Sequence, residues 1–328
     1  MKILLTGADG FLGTNITREL LGKGYQVRAF IQPGRPTELL DELDIEKMPG
    51  DILNPEDILK ALEGCDALIH AAANTSIWPS RSEIVRKVNI EGTRNVVDAA
   101  LKAKIRRMVY VGTANTFGFG DEKDPGHEGK PYASGHYKMD YQDSKYEAHL
   151  VVMEAIKTRG LPCVIVNPTF MFGPYDSKPS SGAMIVGVYN KKVPGYTLGG
   201  RNFIKVKDAA VGVSNALTMG EIGECYILGN VNLTYKEIFG KIAKVTGVKG
   251  PRIGLPKWIV LIFGYMNSTI ASLTKKAPAV TYEMAKISND KHFFTAAKAV
   301  KHLNLPQNPI EEGIQECFDW LKAHNYLN

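Results

Sequence analysis

Near its first residue the chain reads Lys2-Ile3-Leu4-Leu5-Thr6-Gly7-Ala8-Asp9-Gly10-Phe11-Leu12-Gly13, the stretch that decides the fold. The apolar run, the three glycines and the helical pattern over residues 14–21 predict a strand, a tight turn and a helix. Gly7 allows a sharp turn, Gly10 lets backbone approach a pyrophosphate, and Gly13 lets the helix pack closely. The helix dipole then favours an anion, so the turn predicts a dinucleotide site. The alternative is an ordinary glycine-rich turn.

Composition sets the broad class. The 328 residues are 44% hydrophobic and 23% charged, which suits a globular chain of one large or two smaller domains. Lys and Arg number 40 against 34 Asp and Glu, a net charge of +6. The basic residues are scattered, so the charge does not indicate a nucleic-acid footprint.

The spacing of the cysteines bears on the cellular compartment of the protein, and the length of the apolar runs bears on whether it spans a membrane. Four cysteines stand far apart without metal-ligand spacing: Cys65, Cys163, Cys225 and Cys317. We therefore expect free thiols, no metal site and a cytoplasmic protein. Met1 runs directly into the first strand, so we expect no signal peptide. The longest apolar run, residues 258–266, is too short to span a bilayer and predicts a buried or groove-lining helix.

Strands and helices alternate through the first half of the chain. This rhythm predicts an α/β fold of the Rossmann type, with a doubly wound parallel sheet in a dinucleotide-binding domain over residues 1–170. The predicted strands are residues 2–6, 25–31, 50–52, 67–73, 107–112 and 164–168, and the helices between them include 55–62 and 89–103.

The rhythm loosens after residue 170. A stretch rich in Gly, Pro and Ser suggests that the chain leaves the sheet, and segments 202–208 and 226–228 suggest returns to it. Residues 171–201 and 231–328 are predicted to form a smaller, mostly helical substrate lobe over the strand ends. Thr234 and Glu237 predict a capping box for a helix to residue 245, and Pro309 precedes a helix to about residue 324.

The end of the second strand bears on the cofactor. It reads Ile31-Gln32-Pro33-Gly34-Arg35, without the carboxylate that would bind the ribose hydroxyl of NAD. We therefore predict a preference for NADP(H), with Arg35 and Arg28 as basic candidates, and leave NAD(H) open. The alternative is that both arginines are simply exposed. Asp51 is a candidate for the adenine edge, and the small residues Ala71, Ala72 and Ala73 would let a cofactor lie against the backbone.

A tyrosine and a lysine are spaced for catalysis. Tyr141 and Lys145 are four residues apart and share a face if the segment is helical. A nearby ammonium stabilises a phenolate, which would let Tyr141 act as a general acid or base. Thr113, after the fifth strand, could hydrogen-bond a substrate oxygen. Taken alone, a tyrosine four residues before a lysine is commonplace and is better explained as an ordinary surface pair. The functional interpretation depends on its combination with the glycine turn, the small residues after the fourth strand and the hydroxyl after the fifth.

Five motifs in order resemble the extended short-chain dehydrogenase/reductases, across nearly the whole chain. They are Thr6-Gly7-Ala8-Asp9-Gly10-Phe11-Leu12-Gly13, His70-Ala71-Ala72-Ala73, Asn89-Ile90-Glu91-Gly92-Thr93, Tyr141-Gln142-Asp143-Ser144-Lys145, and Asn167-Pro168 with Phe172-Gly173-Pro174. Within that family, Gly199-Gly200-Arg201-Asn202-Phe203 and Leu255-Pro256 look most like the branch of dihydroflavonol reductases and 3β-hydroxysteroid dehydrogenases.

The resemblance implies hydride transfer at the nicotinamide, with Tyr141 as proton donor or acceptor. Lys145 would bind the nicotinamide ribose and lower the pKa of the tyrosine, and Thr113 would orient the substrate oxygen. It also implies a homodimer through the helix pair that includes the Tyr–Lys helix. The implied cofactor-binding residues are Gly7, Gly10, Phe11, Leu12, Arg35, Asp51, Ile52, Ala71, Ala72, Ala73, Lys145, Asn167 and Pro168.

Two departures from the family refine the expected substrate and cofactor. Gln32 stands where reductases of this branch usually carry arginine, which weakens the NADP assignment. Val164 stands where nucleotide-sugar members often place arginine, which argues against a nucleotide sugar. The expected cleft residues are mostly apolar and fit a lipophilic carbonyl or alcohol, although such residues also build cores. They are Ile77, Trp78, Phe117, Phe119, Phe170, Met171, Phe172, Tyr175 and Met184, of which Trp78, Phe117, Phe170 and Tyr175 are the substrate candidates.

The leading hypothesis is therefore an NAD(P)-dependent oxidoreductase acting on an apolar ketone or secondary alcohol. The alternative enzyme is a nucleotide-sugar epimerase or dehydratase with tightly held NAD, and a third possibility is a cofactor-binding scaffold without catalysis. We expect His70 to be structural and His127 to lie in a loop. A peripheral membrane role for residues 258–266 stays open.

Overall fold

The computed structural model describes residues 1–327 and is built on a seven-stranded parallel sheet. Most of its strands are near-continuous apolar runs, as a sheet covered on both faces requires, whereas the edge strand Glu46–Pro49 is polar and largely exposed. This confirms the predicted doubly wound fold. The strands are β1 (Lys2–Thr6), β2 (Gln26–Ile31), β3 (Glu46–Pro49), β4 (Ala67–His70), β5 (Arg107–Val111), β6 (Cys163–Pro168) and β9 (Cys225–Leu228). They lie side by side in the order β3-β2-β1-β4-β5-β6-β9.

Twelve helices complete the described chain. A wide turn of π geometry, Lys87–Glu91, joins α3 to α4, so the helical segment starts at Glu83 rather than at the predicted residue 89. The helices are α1 (Phe11–Gly22), α2 (Pro55–Leu62), α3 (Glu83–Arg86), α4 (Gly92–Lys102), α5 (Asp140–Arg159), α6 (Gly182–Tyr189), α7 (Val206–Asn215), α8 (Tyr235–Thr246), α9 (Lys257–Thr274), α10 (Tyr282–Ile287), α11 (Ala297–Leu303) and α12 (Ile310–Ala323).

Two apolar layers cover the sheet. Helices α1, α7 and α11 pack on one face around Ile3 and Leu5, and helices α2, α4 and α5 pack on the other around Leu4 and Leu68. The strand order reverses between β1 and β4, which both lie at the centre. In doubly wound folds ligands bind outside the carboxyl ends of the strands at this reversal.

The C-terminal lobe contains a second, four-stranded sheet that the sequence analysis did not predict. Its strands are β7 (Phe170–Phe172), β8 (Gly200–Lys205), β10 (Val231–Thr234) and β11 (Lys291–His292). The expected return of residues 202–208 to the main sheet is therefore wrong, because β8 pairs with β7, β10 and β11, and Val206 begins α7. The return near residues 226–228 is correct, since β9 pairs with β6.

Helix ends in the lobe follow their sequence signals. Thr234 and Glu237 form the expected capping box at the start of α8. Pro309 precedes α12, which ends at Ala323. The expectation for residues 258–266 is wrong, because most of the large side chains of α9 are exposed. Gly264 faces the protein instead, where a Cβ would stand 2.6 Å from the Cβ of Ala285 on α10.

Candidate active site

The glycine turn has the geometry of a phosphate cradle. Gly7 has a φ of +74°, and a Cβ there would lie 2.7 Å from the backbone of Ala72. A Cβ on Gly13 would stand 1.8 Å from the Gly7 carbonyl oxygen, so α1 packs against β1 only with glycine there. Helix α1 begins at Phe11, directly after Gly10, and no side chain caps its first turn. Its first N–H groups are available to an anion.

Small residues lie beside this turn, as the sequence predicts. β4 ends at His70, earlier than expected, and Ala71, Ala72 and Ala73 follow it, half-buried. The N–H groups of Ala71 and Ala72 donate to the carbonyl and hydroxyl oxygens of Thr6, at 3.2 Å each. These bonds hold the backbone after β4 against the end of β1. Phe11 and Leu12 open α1 on the other side of the turn, both half-buried.

Three polar residues meet after β2 and β3. The Gln32 amide donates to the Asp51 carboxylate at 3.3 Å, and the Arg35 Nε donates to the Gln32 amide oxygen at 3.4 Å. Gln32 and Arg35 are exposed, and Asp51 is half-buried. The segment at the end of β2 contains no carboxylate of its own, but the Asp51 carboxylate lies beside it in the structure. Ile52 follows Asp51 and is buried, at a contact that leaves room only for glycine at Gly92.

Arg28 does not belong to this group, which corrects its role as a basic candidate. Arg28 is buried, and its side chain donates to the carbonyls of Ala61 and Glu63, at 2.7 Å each. It also pairs with Glu46 at 2.9 Å. Arg28 lies three residues before the end of β2 and serves the packing of α2.

Tyr141 and Lys145 both lie on α5, as predicted. Lys145 is buried; its Nζ donates to the Val111 carbonyl at 2.9 Å and lies 4.9 Å from the centroid of the Tyr110 ring. Burial lowers the pKa of Lys145 to about 8. The start of α5 is fixed by Asp140, which accepts hydrogen bonds from Arg81 and the Ser82 N–H.

The pKa of Tyr141 moves opposite to the expectation. Burial raises the pKa of its phenol, and the positive charge of Arg201 opposes that shift. Lys145 is not among the groups that lower it in this structure, because its ammonium is directed to Val111. Tyr141 is therefore a protonated phenol near neutral pH.

Thr113, Asn167 and Pro168 lie at the ends of β5 and β6. Thr113 is half-buried and begins the turn Ala114–Thr116, where its hydroxyl accepts from the Asn115 N–H at 3.4 Å. Asn167 and Pro168 are the last residues of β6 and are buried. The Oδ1 of Asn167 accepts from the Thr116 hydroxyl at 3.5 Å. Its Nδ2 is buried and has no hydrogen-bond partner among residues 1–327.

The four substrate candidates are spread out. Trp78 is half-buried in the loop after β4, whose Ser80 carbonyl accepts from the Asp140 N–H at the start of α5. Phe170 lies under Arg201, 5.3 Å from ring centroid to guanidinium. Phe117 is 6% exposed and packs edge-on against His149, so it is a core residue. Tyr175 packs between Arg18 and Trp320.

Arg201 is a further candidate for the site, which the sequence patterns did not indicate. It is half-buried on β8, and its Nε donates to the Tyr235 hydroxyl at 2.8 Å. Its charge acts on Tyr141 and on His292. The Gly199-Gly200-Arg201 stretch contributed to the family resemblance. The sequence did not show that its strand, β8, belongs to a second sheet.

A second missed feature is Asn89, which links the loop after β4 to α5. Its side chain accepts from the Asn74 N–H at 2.7 Å and donates to the Asn74 carbonyl at 3.0 Å and the Ser144 hydroxyl at 2.9 Å. Ser144 precedes Lys145, so this buried amide helps to set the position of α5. In the sequence, only the resemblance of the Asn89-Ile90-Glu91-Gly92-Thr93 motif to the family pointed to Asn89.

The histidines behave as expected. His70 is buried between the hydroxyls of Thr6 and Thr93, at 2.8 Å and 3.1 Å, and burial lowers its pKa to about 3. A group that stays neutral in this way is structural. His127 is exposed in a loop, where its Nδ1 accepts from the Gly129 N–H.

A nicotinamide dinucleotide fits these residues. The uncapped start of α1 suits its pyrophosphate. The unpartnered Nδ2 of Asn167 and the buried ammonium of Lys145 are polar groups that a bound cofactor would satisfy.

Comparisons with known proteins agree with this geometry. The model of the NAD dependent epimerase/dehydratase family matches residues 3–229. The "Putative dihydroflavonol 4-reductase" of Synechocystis sp. is 33% identical and covers 98% of this chain and 95% of its own. Sterol demethylase protein B of Methylococcus capsulatus is 27% identical over the full length of both chains. The 2-alkyl-3-oxoalkanoate reductase of Shewanella oneidensis is 27% identical and covers 95% and 84%.

Solved structures show the same fold. The crystal structure of gox2253 is 32% identical, with a TM-score of 0.88 and 99% of each chain covered. The dTDP-glucose 4,6-dehydratase DesIV of Streptomyces venezuelae, solved with NAD bound, is 21% identical with a TM-score of 0.79, covering 100% and 99%. The chain belongs to the NAD-dependent epimerase/dehydratase family, in the extended branch of the short-chain dehydrogenase/reductases, and is an NAD(P)-dependent oxidoreductase.

Proposed function

We propose that this protein transfers a hydride between a nicotinamide cofactor and an apolar ketone or secondary alcohol, with Tyr141 as general acid and base. The observation that carries the proposal is the position of Tyr141 and Lys145 on α5, where the Lys145 ammonium reaches the end of β5 beside the proposed cofactor site. The cofactor would supply or accept the hydride at its nicotinamide C4.

The protein's own groups handle the proton. In the direction of reduction, the protonated Tyr141 phenol donates its proton to the carbonyl oxygen as the carbonyl carbon gains the hydride, and the phenolate later regains a proton from water. The charge of Arg201 lowers the pKa of Tyr141 and so stabilises that phenolate. The Thr113 hydroxyl orients the same substrate oxygen by a hydrogen bond.

Arg201 suggests a finer substrate class. Its guanidinium lies over the Phe170 ring, and its Nε donates to the Tyr235 hydroxyl. Such a guanidinium suits a carboxylate near the reacting carbonyl. The relative named 2-alkyl-3-oxoalkanoate reductase acts, by that name, on a substrate of this kind. A 3-oxo acid with a lipophilic chain is therefore the substrate class we favour.

For the cofactor we propose a preference for NADP(H), with Arg35 binding the 2′-phosphate. Arg35 is exposed and close to Gln32 at the tip of β2, where that phosphate would lie. Asp51 opposes this preference, because its carboxylate lies in the same group.

The test is consumption of NADPH or NADH by the purified protein with lipophilic 3-oxo acids and with the matching neutral ketones. We expect oxidation of the cofactor, and we expect Arg201→Met to raise KM for the acids at least about tenfold, the value of one charge-assisted hydrogen bond, while leaving KM for the ketones unchanged. A protein that purifies with cofactor bound and consumes none with any carbonyl would instead support the epimerase or dehydratase alternative.

We also propose a homodimer through α4 and α5. Leu150 on α5 and Ile84 on α3 are large apolar side chains, 46% and 55% exposed, near that helix pair. Sedimentation should show a dimer that Leu150→Asp converts to a monomer. A wild-type monomer at all concentrations would overturn the proposal.

A further inference from the structure

Helix α9 turns its large apolar side chains to solvent and its small ones to the protein. Val260, Gly264 and Ala271 are buried against the protein, and their spacing of four and seven residues keeps them on one side of the helix. The opposite side is termed here the α9 face. It comprises eight large apolar side chains that are 39% to 80% exposed: Trp258, Ile259, Ile262, Phe263, Tyr265, Met266, Ile270 and Leu273.

Such a face requires a covering surface. Soluble proteins rarely expose contiguous apolar patches of this kind unless they bind something. The helix has 18 residues. Among residues 1–327, however, no helix has the length and apolar character needed to cross a membrane. An amphipathic helix of this type is suited to lying in the plane of a bilayer interface.

The charged residues that flank α9 along the chain have one sign, although α10, which packs on α9, has Glu283 in its first turn. Between Glu237 and Glu283 the sequence has no acidic residue. Five basic residues flank or begin the helix, all are exposed, and none forms a salt bridge within residues 1–327. They are Lys249, Arg252, Lys257, Lys275 and Lys276.

This charge favours a lipid surface over a second copy of the chain. Two copies meeting through the α9 face would bring identical basic margins together, with no carboxylate in the segment to neutralise them. Anionic lipid headgroups would neutralise each margin instead. Trp258 and Tyr265 also suit an interface, because their rings are apolar and their N–H and O–H groups reach water.

We propose that the α9 face docks the protein on a bilayer that contains anionic lipid. The apolar side chains enter the boundary between headgroups and acyl chains, and the five basic residues contact the headgroups. Helix α9 packs on α10, whose Ile287 contacts Tyr137 and Met139 just before Tyr141. One helix thus separates the docked surface from the segment that leads into the active site. The docking does not depend on the proposed reaction.

The experiment is sedimentation of the full chain with phosphatidylcholine vesicles, with and without phosphatidylserine. We expect binding to the mixed vesicles that weakens in high salt, and little binding to phosphatidylcholine alone. Tryptophan emission gives a second readout, because Trp258 is exposed whereas Trp78 is half-buried and Trp320 is buried. Its emission should shift to shorter wavelength on binding, and Trp258→Phe should remove the shift.

Variants distinguish docking through the α9 face from nonspecific adsorption of the protein to vesicles. Ile262→Ser with Phe263→Ser, and Lys275→Glu with Lys276→Glu, should each reduce vesicle partitioning about tenfold or more. Ile222→Ser is the matched control, since Ile222 is 54% exposed like Phe263 but lies before β9, and it should bind as the wild type does. Unchanged NADPH binding shows that each variant is folded.

Two results would overturn the proposal. One is the absence of binding to mixed vesicles by the folded wild type. The other is a dimer in solution that the Ile262→Ser and Phe263→Ser pair dissociates, which would show that a second copy covers the α9 face.

Discussion

The carbonyl oxygen of Gly7 lies 1.8 Å from the point where a Cβ on Gly13 would stand, whereas a Cβ on Gly10 would lie 3.3 Å from the same oxygen. The two glycines therefore have different structural roles. Gly13 sets how closely α1 approaches β1, and Gly10 leaves space in front of the helix start.

Gly13→Ala and Gly10→Ala should separate packing from binding. We expect Gly13→Ala to lower the free energy of unfolding by at least about 2 kcal/mol, because the backbone must move to relieve the overlap. Gly10→Ala should fold with nearly wild-type stability and weaken only NADPH binding. Urea unfolding and a fluorescence titration measure the two effects. A Gly13→Ala variant of wild-type stability would contradict the close approach.

The buried ammonium of Lys145 should lower the free energy of unfolding of the protein. Its pKa is about 8 in the fold and 10.5 when unperturbed, so the unfolded chain binds more protons between these values and this group makes stability rise with pH there. Lys145→Met should therefore raise the free energy of unfolding by about 1–3 kcal/mol at about pH 7. The gain should shrink as pH rises from about 8 towards 10.5, while activity is lost.

Lys157→Met is the matched control for this change, because Lys157 is an exposed lysine on the same helix. Lys157→Met should change the free energy of unfolding little, both at about pH 7 and at higher pH. Equal effects of the two substitutions would show that the burial of Lys145 is not the cause.

Arg35 and Asp51 should shift cofactor preference in opposite directions. Arg35→Ala should weaken NADPH binding about tenfold, or about 1.4 kcal/mol, and leave NADH binding nearly unchanged. Asp51→Asn should strengthen NADPH binding, because it removes a negative charge near the 2′-phosphate. Arg28→Lys is the control and should alter stability rather than preference, since Arg28 binds carbonyls of α2 and its C-terminal end. Preference unchanged in Arg35→Ala would remove Arg35 from the site.

Local signals were enough to predict much of this fold. The glycine spacing, the apolar runs and the caps at Thr234 and Pro309 each depend on neighbouring residues, and the structure has each of them. The Tyr141 and Lys145 face follows from helical spacing alone. These features need no knowledge of distant contacts.

Some errors are local boundaries: the third strand is Glu46–Pro49 rather than 50–52, and β4 ends at His70. The larger errors concern partners distant in sequence. Phe203 and Ile204 make a convincing strand, but pairing with β10 places it in a second sheet. Apolar content could not show that α9 buries Gly264 and exposes Phe263. The pKa of Tyr141 depends on burial and on Arg201, sixty residues away.

The most direct measurement of the central claim is the rate of NADPH oxidation by Tyr141→Phe, with Tyr146→Phe as control on the same helix. The Tyr146 ring stacks on Tyr132 at 4.2 Å between centroids, and this variant should react at nearly the wild-type rate. If Tyr141 is the general acid, Tyr141→Phe should bind NADPH normally and react at least about 100-fold more slowly. A Tyr141→Phe variant that binds NADPH and turns over at the wild-type rate would contradict the account.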